Sequence, residues 1–193
     1  VPLDPYFLGL WLGDGTKING TILASDSEVI DWLKEYANRL SCGITIKSDN
    51  ERNSVMRVLI SNGRGGLHVR RGDTPAWKLS EMGLIGNKHI PQQYITNSSN
   101  NRLELLAGLI DSDGYYDDSA KAFEITQKDE QLARQIKLVA DTLGFSTTLR
   151  TKRATIKDRG VDTEVWRLTI RGDIERIPVR VPRKKASARV INK

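Results

Sequence analysis

The amino-acid sequence contains the same apolar run twice, and each copy ends in Asp-Gly. Residues 7–15 read FLGLWLGDG, and residues 106–114 read LAGLIDSDG in the other half of the chain. Each run is apolar nearly all round a helix, which predicts a buried helix. Gly9 and Gly13 lower helix propensity by about 1 kcal/mol each relative to alanine, so their presence predicts that a second backbone approaches closely. We therefore expect the two helices to pack against each other about a pseudo-two-fold axis.

Capping signals predict where these helices begin. Asp4 followed by Pro5 is typical of an N-cap and a first helical residue. Asn101 and Glu104 resemble a capping box at the start of the second helix. Both helices are expected to end at their Asp-Gly pair.

The segments that follow also repeat. GTILAS precedes a helix that is expected to begin at Ser25 and to end at Gly43, and AFEIT precedes a helix that is expected to end at Gly144. Strand pairs come next: GITIKS and VMRVLIS in the first half, FSTTLRT and VWRLTIR in the second. Trp166, Leu168 and Ile170 alternate with polar residues, which predicts one buried and one cationic face. This order predicts an α+β fold of two similar halves, 1–97 and 98–193.

The charge balance favours a polyanionic partner. The 193 residues include 30 Lys and Arg against 24 Asp and Glu, a net charge of +6. Residues 63–71 and 150–160 are strongly basic. A single cysteine and two histidines exclude a disulfide framework and argue against structural zinc. No run approaches the roughly 18 apolar residues of a membrane span, and no leader is visible, so we expect an intracellular protein without a membrane partner.

The two acids at the helix ends carry the functional argument. Asp14 and Asp113 would face the negative ends of their helix dipoles and would repel each other. A divalent metal relieves both costs, and a set of oxygen ligands suits Mg²⁺. Metal-bound carboxylates beside a basic surface are typical of phosphodiester cleavage. Either Asp-Gly alone would be read as a simple helix stop, but a matched pair argues against that interpretation.

These motifs resemble those of the LAGLIDADG homing endonucleases, and the resemblance covers essentially the whole chain. LAGLIDSDG is nearly the family signature, and the earlier copy is similar to a degenerate twin. NKHIP and PRKKASAR are similar to segments of two-repeat, monomeric endonucleases found inside inteins. The resemblance implies two pseudo-symmetric αββαββα halves that pack through the paired helices into one compact endonuclease domain with a saddle-shaped antiparallel sheet surface.

The resemblance also implies roles for individual residues. Asp14 and Asp113 would bind metal, one for each DNA strand, together with the carbonyls of Gly13 and Ser112. The catalytic cations would be Lys88 in the first half and Lys185, or its neighbour Lys184, in the second, with ordinary phosphate contact as the alternative. The cofactor would be Mg²⁺, with Mn²⁺ or Ca²⁺ as substitutes.

One motif position differs between the copies. Asp111 of the second copy corresponds to Leu12 of the first. We therefore interpret Asp111 as a structural acid rather than a required ligand. The difference also raises the hypothesis that the two sites cut their strands at unequal rates.

The implied activity is site-specific hydrolysis of one phosphodiester on each strand of a long double-stranded DNA target. A monomer would carry it out in the nucleus or nucleoid. That monomer can be part of an intein precursor. Arginine reads guanine edges and lysine anchors phosphates, but the sequence does not divide these roles among the candidates. A non-cleaving binder of the same fold, an RNA maturase or a DNA-binding repressor, is the alternative, and the intact acids argue against it. The candidate DNA-binding residues are Lys47, Arg57, Arg64, Arg70, Arg71, Arg150, Lys152, Arg153, Arg167, Arg171 and Lys184.

Overall fold

The first half of the chain alternates helices and short strands. The computed structural model describes residues 1–49, 54–62, 73–156 and 161–187, without the side chains of 154–156 and 161–162. Within the described part of the first half, the elements in chain order are α1 (Pro5–Asp14), β1 (Ile22–Ala24), α2 (Ser27–Arg39), β2 (Gly43–Ser48), β3 (Met56–Ser61), α3 (Pro75–Glu81) and α4 (Gln92–Ile95).

The second half repeats this plan with one more complete strand. Where the second half has β4, the first half has only a bridge between Gly15 and Ile22. The expected division at 97/98 falls between α4 and α5 and stays a prediction. The elements are α5 (Ser99–Asp113), β4 (Gly114–Asp117), β5 (Ala122–Gln127), α6 (Glu130–Thr142), β6 (Ser146–Ile156), β7 (Val161–Arg171) and two 3-10 turns, Ile174–Arg176 and Pro182–Lys184.

Each half forms its own antiparallel sheet. The strand order is β1-β3-β2 in the first sheet and β4-β5-β7-β6 in the second. Leu168 and Ile170 of β7 are buried, whereas Arg167 and Arg171 lie on the opposite face. This alternation agrees with the prediction, because successive side chains of a strand point to opposite faces of the sheet.

Helices α1 and α5 pack against each other through glycine, as the repeat predicts. A Cβ atom on Gly9 would lie 2.9 Å from Gly108 Cα and would collide with the Leu105 carbonyl oxygen. A Cβ atom on Gly108 would reciprocally collide with the Tyr6 carbonyl oxygen and lie 2.8 Å from Leu10 N. The contact is therefore symmetric, and it brings the two backbones too close together for any side chain.

The helix starts were predicted in part. Asp4 caps α1, since its side chain accepts hydrogen bonds from Tyr6 N at 2.9 Å and Phe7 N at 3.4 Å. The prediction for α5 was wrong: its N-cap is Ser98, whose hydroxyl accepts from Asn101 N at 3.3 Å. Helix α2 begins at Ser27, with Asp26 rather than Ser25 at the N-cap.

Of the two predicted glycine helix stops, one is confirmed and one is wrong. Gly144 follows α6 with a φ of 87°, a left-handed conformation that suits glycine. Gly43 was wrong as the end of α2, because α2 ends at Arg39 and Ser41 takes the left-handed conformation with a φ of 53°. Gly43 instead begins β2.

The apolar core extends through both halves. Tyr6, Trp11, Leu106 and Ile110 of the paired helices are completely buried, and they belong to one cluster that also includes residues of both sheets and of α2 and α6. Among the described residues, no helix combines the length and the apolar character that a bilayer crossing requires.

Candidate active site and nucleic-acid interface

The paired helices bring their last turns, each of which carries an acid, into contact. Helix α1 ends at Asp14 and α5 at Asp113. A Cβ atom on Gly13 would lie 2.7 Å from Ser112 Cβ and 3.3 Å from Asp113 Cγ, so the last turns are in direct contact. This packing agrees with the expectation that the two helix ends meet, and the approach of the two acids stays a prediction.

A lysine covers the carbonyl end of each helix. Lys88 Nζ donates hydrogen bonds to the carbonyls of Leu12 at 2.9 Å and Gly13 at 3.1 Å. Lys184 Nζ donates to the carbonyls of Asp111 at 2.8 Å and Ser112 at 3.1 Å, as well as to that of Ile110. The last carbonyls of a helix lack intrahelical donors and carry partial negative charge, so an ammonium group stabilises them.

These contacts identify Lys184 as the counterpart of Lys88. The carbonyls of Asp111 and Ser112 occupy the same motif positions as those of Leu12 and Gly13. Lys185, which the sequence analysis placed first, is exposed. Lys184 was also expected on the DNA-binding surface, but it is only 4% exposed. That expectation was wrong, because the Lys184 ammonium group is turned inward to the end of α5.

The two lysines and two acids form one electrostatic system. Burial lowers the pKa of Lys88 to about 8, although Asp113 and Asp14 both oppose the shift. Burial and the nearby Arg183 guanidinium lower the pKa of Lys184, with Asp14 among the acids that oppose this. Desolvation raises the pKa of Asp113, against Gln127, Lys88 and Lys184. Each lysine therefore interacts with an acid of the opposite half.

Gln127 is a site residue that the sequence analysis missed. Its Nε2 atom donates a hydrogen bond of 2.6 Å to Asp113 Oδ2. Strand register gives its counterpart in the first half: Gly114 pairs with Ile125 as Gly15 pairs with Ile22, so Gln127 corresponds to Ala24. An alignment of the two repeats by strand position, rather than by the helix motif, would have exposed this difference.

Asp111 has the structural role that the sequence analysis expected. It is 3% exposed, and its carboxylate accepts hydrogen bonds from the Tyr6 hydroxyl at 2.7 Å, Arg180 N at 2.8 Å and Val181 N at 3.2 Å. These contacts tie the segment that carries Lys184 to the end of α5.

The two acids lie in cavities of different size. A cavity of about 380 Å³ is lined by Gly13, Lys88, Asp113 and Gln127, among others. Asp14 and Lys184 line a second cavity, of about 60 Å³. An ion pair between Arg183 and Asp26, with an N–O distance of 2.8 Å, also lies in its wall. Each cavity thus combines a lysine of one half with an acid of the other.

The donor set suits a magnesium ion that is shared with a substrate. Among the described residues, no three His, Cys, Asp or Glu side chains cluster as a complete metal cage. Asp14 and Asp113 supply hard oxygen ligands, and so do the carbonyls of Gly13 and Ser112, each of which keeps a second lone pair beside the hydrogen bond it accepts from Lys88 or Lys184. Mg²⁺ commonly binds to one or two carboxylates and takes its remaining ligands from water and substrate phosphates. The residues therefore fit the implied cofactor.

Each sheet carries a row of basic side chains on its outer face. Lys47 of β2 is directly opposite Arg57 of β3, and Arg150 of β6 is directly opposite Arg167 of β7. All are exposed except Arg167, which is partly buried. Other candidates, Lys152, Arg153 and Arg171, are also exposed on the second sheet. Three candidates lie outside the described residues: Arg64, Arg70 and Arg71.

Comparisons with known proteins give one family match and several similar proteins. A family model described as homing endonuclease matches residues 89–189. A replicative DNA helicase DnaB of Mycobacterium intracellulare is 32% identical over 151 residues, which are 78% of this chain and 21% of the relative. An iron-sulfur cluster assembly SufBD family protein of Mycobacterium leprae is 24% identical over 197 residues, 93% of this chain and 21% of that protein.

Two further similarities name endonucleases. The homothallic switching endonuclease of Saccharomyces cerevisiae is 28% identical over 166 residues, 77% of this chain and 28% of the relative. The chain thus spans between 21% and 28% of the length of these three curated relatives. The crystal structure of I-DmoI in complex with DNA and Mn matches with a TM-score of 0.55 at 15% identity, over 88% of this chain and 89% of that one. The complex of I-DmoI with DNA and Ca gives a TM-score of 0.56, over 88% and 83% of the respective chains.

Proposed function

Because this chain belongs to the homing endonuclease family, we propose that it is a site-specific DNA endonuclease that hydrolyses one phosphodiester on each strand. It acts as a monomer on a long double-stranded target, since the two halves of one chain supply both helix ends. One observation carries the proposal: two acids lie at adjoining helix ends, each beside a lysine that covers helix carbonyls. A carboxylate at the negative end of a helix dipole is costly without substrate or metal, so we infer that the cluster serves chemistry.

Asp14 and Asp113 hold the divalent metal in this proposal, with the carbonyls of Gly13 and Ser112. When bound, the metal activates water and stabilises the leaving oxygen of the scissile phosphodiester. The protein's own part is to keep both carboxylates ionised and in position. Gln127 does so directly for Asp113, by donating to its Oδ2 atom.

Lys88 and Lys184 supply fixed positive charge beside the reacting phosphates. Their contacts with helix carbonyls restrain two otherwise flexible side chains, so little reorganisation is needed when charge develops in the transition state. Lys184 takes this role in place of Lys185. Ordinary phosphate anchoring is disfavoured for Lys184, because its ammonium group is buried.

Magnesium is the proposed cofactor, with manganese or calcium as substitutes. Its preference for carboxylate, carbonyl and phosphate oxygens matches the donor set. The similar fold of I-DmoI, solved in complex with DNA and Mn or Ca, supports the use of a divalent ion.

We also infer that the endonuclease is carried within a longer host chain, as an intein. Two relatives whose names describe unrelated activities, a DNA helicase and an iron-sulfur assembly protein, each match through 21% of their length. A shared inserted segment accounts for this similarity. The site of action would be the nucleus or nucleoid, where the target DNA lies.

A cleavage assay tests the proposal. A selection from randomised duplexes identifies the target, which is then placed on a supercoiled plasmid and incubated with the protein in Mg²⁺ or EDTA. We expect linear product only with Mg²⁺, and none from a double Asp14→Asn, Asp113→Asn variant, which controls for contaminating nuclease. Tight binding without cutting under both conditions would support a repressor, and a preference for structured RNA would support a maturase.

A further inference from the structure

We infer that Arg57 and Arg167 read guanine bases in the two halves of the target, while Lys47 and Arg150 anchor the DNA backbone. The inference rests on the proposed function. It assigns different DNA contacts to basic residues whose roles the sequence alone does not distinguish. It assigns base recognition to the strand inside each sheet and phosphate contact to the neighbouring edge strand.

The first observation is a matched arrangement in the two sheets. In the first sheet Leu23, Arg57 and Lys47 form one row across β1, β3 and β2. In the second sheet the corresponding row across β5, β7 and β6 is Thr126, Arg167 and Arg150. Both rows therefore place arginine on an interior strand and a second cation on the edge strand.

The second observation is that a carboxylate holds each interior arginine. Arg57 Nη1 lies 3.1 Å from Asp49 Oδ2, and Arg167 Nε lies 3.5 Å from Glu124 Oε2. The acid side chains are only 10% and 11% exposed, whereas those of the arginines are 43% and 35% exposed. Glu124 also accepts a hydrogen bond from the Tyr115 hydroxyl, so it is held from two sides.

The two acids come from different places in the repeat. Asp49 follows β2, while Glu124 lies within β5. The same arrangement of an arginine and its acid has therefore arisen from two different positions, which argues that the pairing itself matters.

The pairing changes what an arginine can do. A guanidinium beside a carboxylate has little net charge left to attract a phosphate, and the carboxylate repels one. The pair instead restrains the direction of the remaining N–H groups, through a hydrogen bond at Arg57 and a longer ion pair at Arg167, which lowers the entropy lost on binding. In Arg167 the engaged atom is Nε, so both terminal nitrogens stay available for a bidentate contact with guanine O6 and N7.

The edge-strand cations have the opposite character. Lys47 and Arg150 are exposed, and within the described part of the chain neither forms an ion pair. A mobile, uncompensated charge suits contact with a phosphate, which demands attraction but no fixed direction.

Selection from randomised duplexes tests the inference with variants that keep or remove charge. Arg57→Lys and Arg167→Lys retain the charge but lose the planar fork. Each should reduce discrimination at one base pair, in opposite halves of the target, by about 5- to 150-fold. The slope of log K against log salt should stay the same. Glu124→Gln should loosen discrimination at the same base pair as Arg167→Lys and raise affinity for unrelated duplexes.

Lys47→Gln is the matched control. It should weaken binding to all sequences similarly and reduce the salt slope by about 1, with the preferred target unchanged. The inference is overturned if both arginine variants keep the wild-type preference, or if Lys47→Gln alters it. If the wild-type protein enriches no duplex at all, the proposed function fails as well. Thermal unfolding of each variant checks that the sheets stay folded.

Discussion

The two cavities at the helix ends both contain an acid and a lysine, but they differ in size and in the residues around that pair. On one side, Asp113 is held by Gln127 and lies beside Lys88 in a cavity of about 380 Å³. On the other, Asp14 lies beside Lys184 in a cavity of about 60 Å³, where the position of the glutamine is taken by Ala24. The acid–lysine arrangement is thus common to both sides, and the surrounding contacts have diverged.

The comparison also shows that neither half contains a whole site. Lys88 comes from the first half and lines the cavity of Asp113, while Lys184 comes from the second half and lines that of Asp14. This exchange follows from the packing of α1 on α5, where Gly9 and Gly108 let the helix ends meet. The crossing has no room for a side chain because the two backbones meet at these glycines.

The largest expected effect comes from removing either acid. Asp14→Asn and Asp113→Asn should each slow cleavage of one strand by at least about 100-fold, since each removes negative charge that would hold the metal. Nicking measured separately on each labelled strand assigns each acid to its strand. Equal loss on both strands from either variant would show that the two sides act as one site.

Gln127 tests whether the difference between the sides matters for catalysis. Wild-type protein should cut the strand assigned to Asp113 faster, and Gln127→Ala should slow that strand by about 10- to 100-fold, because the carboxylate loses its orienting donor. The other strand should be unaffected. Ala24→Gln is the reciprocal variant, and equal wild-type rates on both strands would remove the proposed asymmetry.

The two lysines should differ in their contribution to stability. Lys184→Met leaves three helix carbonyls without their ammonium donor and should lower the free energy of unfolding by about 1–3 kcal/mol. Lys88→Met removes two such bonds and should cost less. Urea denaturation measures both values. Lys185→Met is the control and should be neutral, because Lys185 is exposed; a larger loss there would reverse the assignment.

The smallest expected effect concerns the sheets. Wild-type binding should show a log–log salt slope of about −5 to −9, as expected for six to ten phosphate contacts. Lys47→Gln and Arg150→Gln should each reduce the slope by about 1 if both halves of the protein contact phosphates. A salt titration on the selected duplex measures this, and a nearly flat wild-type curve would contradict electrostatic binding.

The helix motif made much of the site predictable. Apolar residues all round each run required burial, the glycines required a close partner, and the repeated Asp then had to lie at the ends of the paired helices. Local signals were less reliable. The sequence pattern predicts caps at Asn101 and Ser25, but Ser98 and Asp26 occupy those positions, and only Ser98 makes a side-chain capping hydrogen bond. Several nearby polar residues can each occupy an N-cap, so the pattern does not select one.

Contacts between distant segments could not be predicted. Lys184 and Lys185 are adjacent and chemically identical. Only the backbone direction at the Pro182–Lys184 turn decides which of them reaches α5. Arg183 is turned instead toward Asp26. The sequence did not indicate Gln127, because its role depends on strand register, which the helix motif does not determine.

By itself the sequence determined the duplication, the alternation of helices and strands, the buried helix pair and the two acids at its end. These follow from periodicity and repetition, which act through local geometry and burial. Only the tertiary structure decided which lysine covers each helix, which acid receives an amide donor and which arginines are held by carboxylates. Those contacts depend on where long, flexible side chains from separate strands and turns converge. Residue spacing along the chain does not determine the points of convergence.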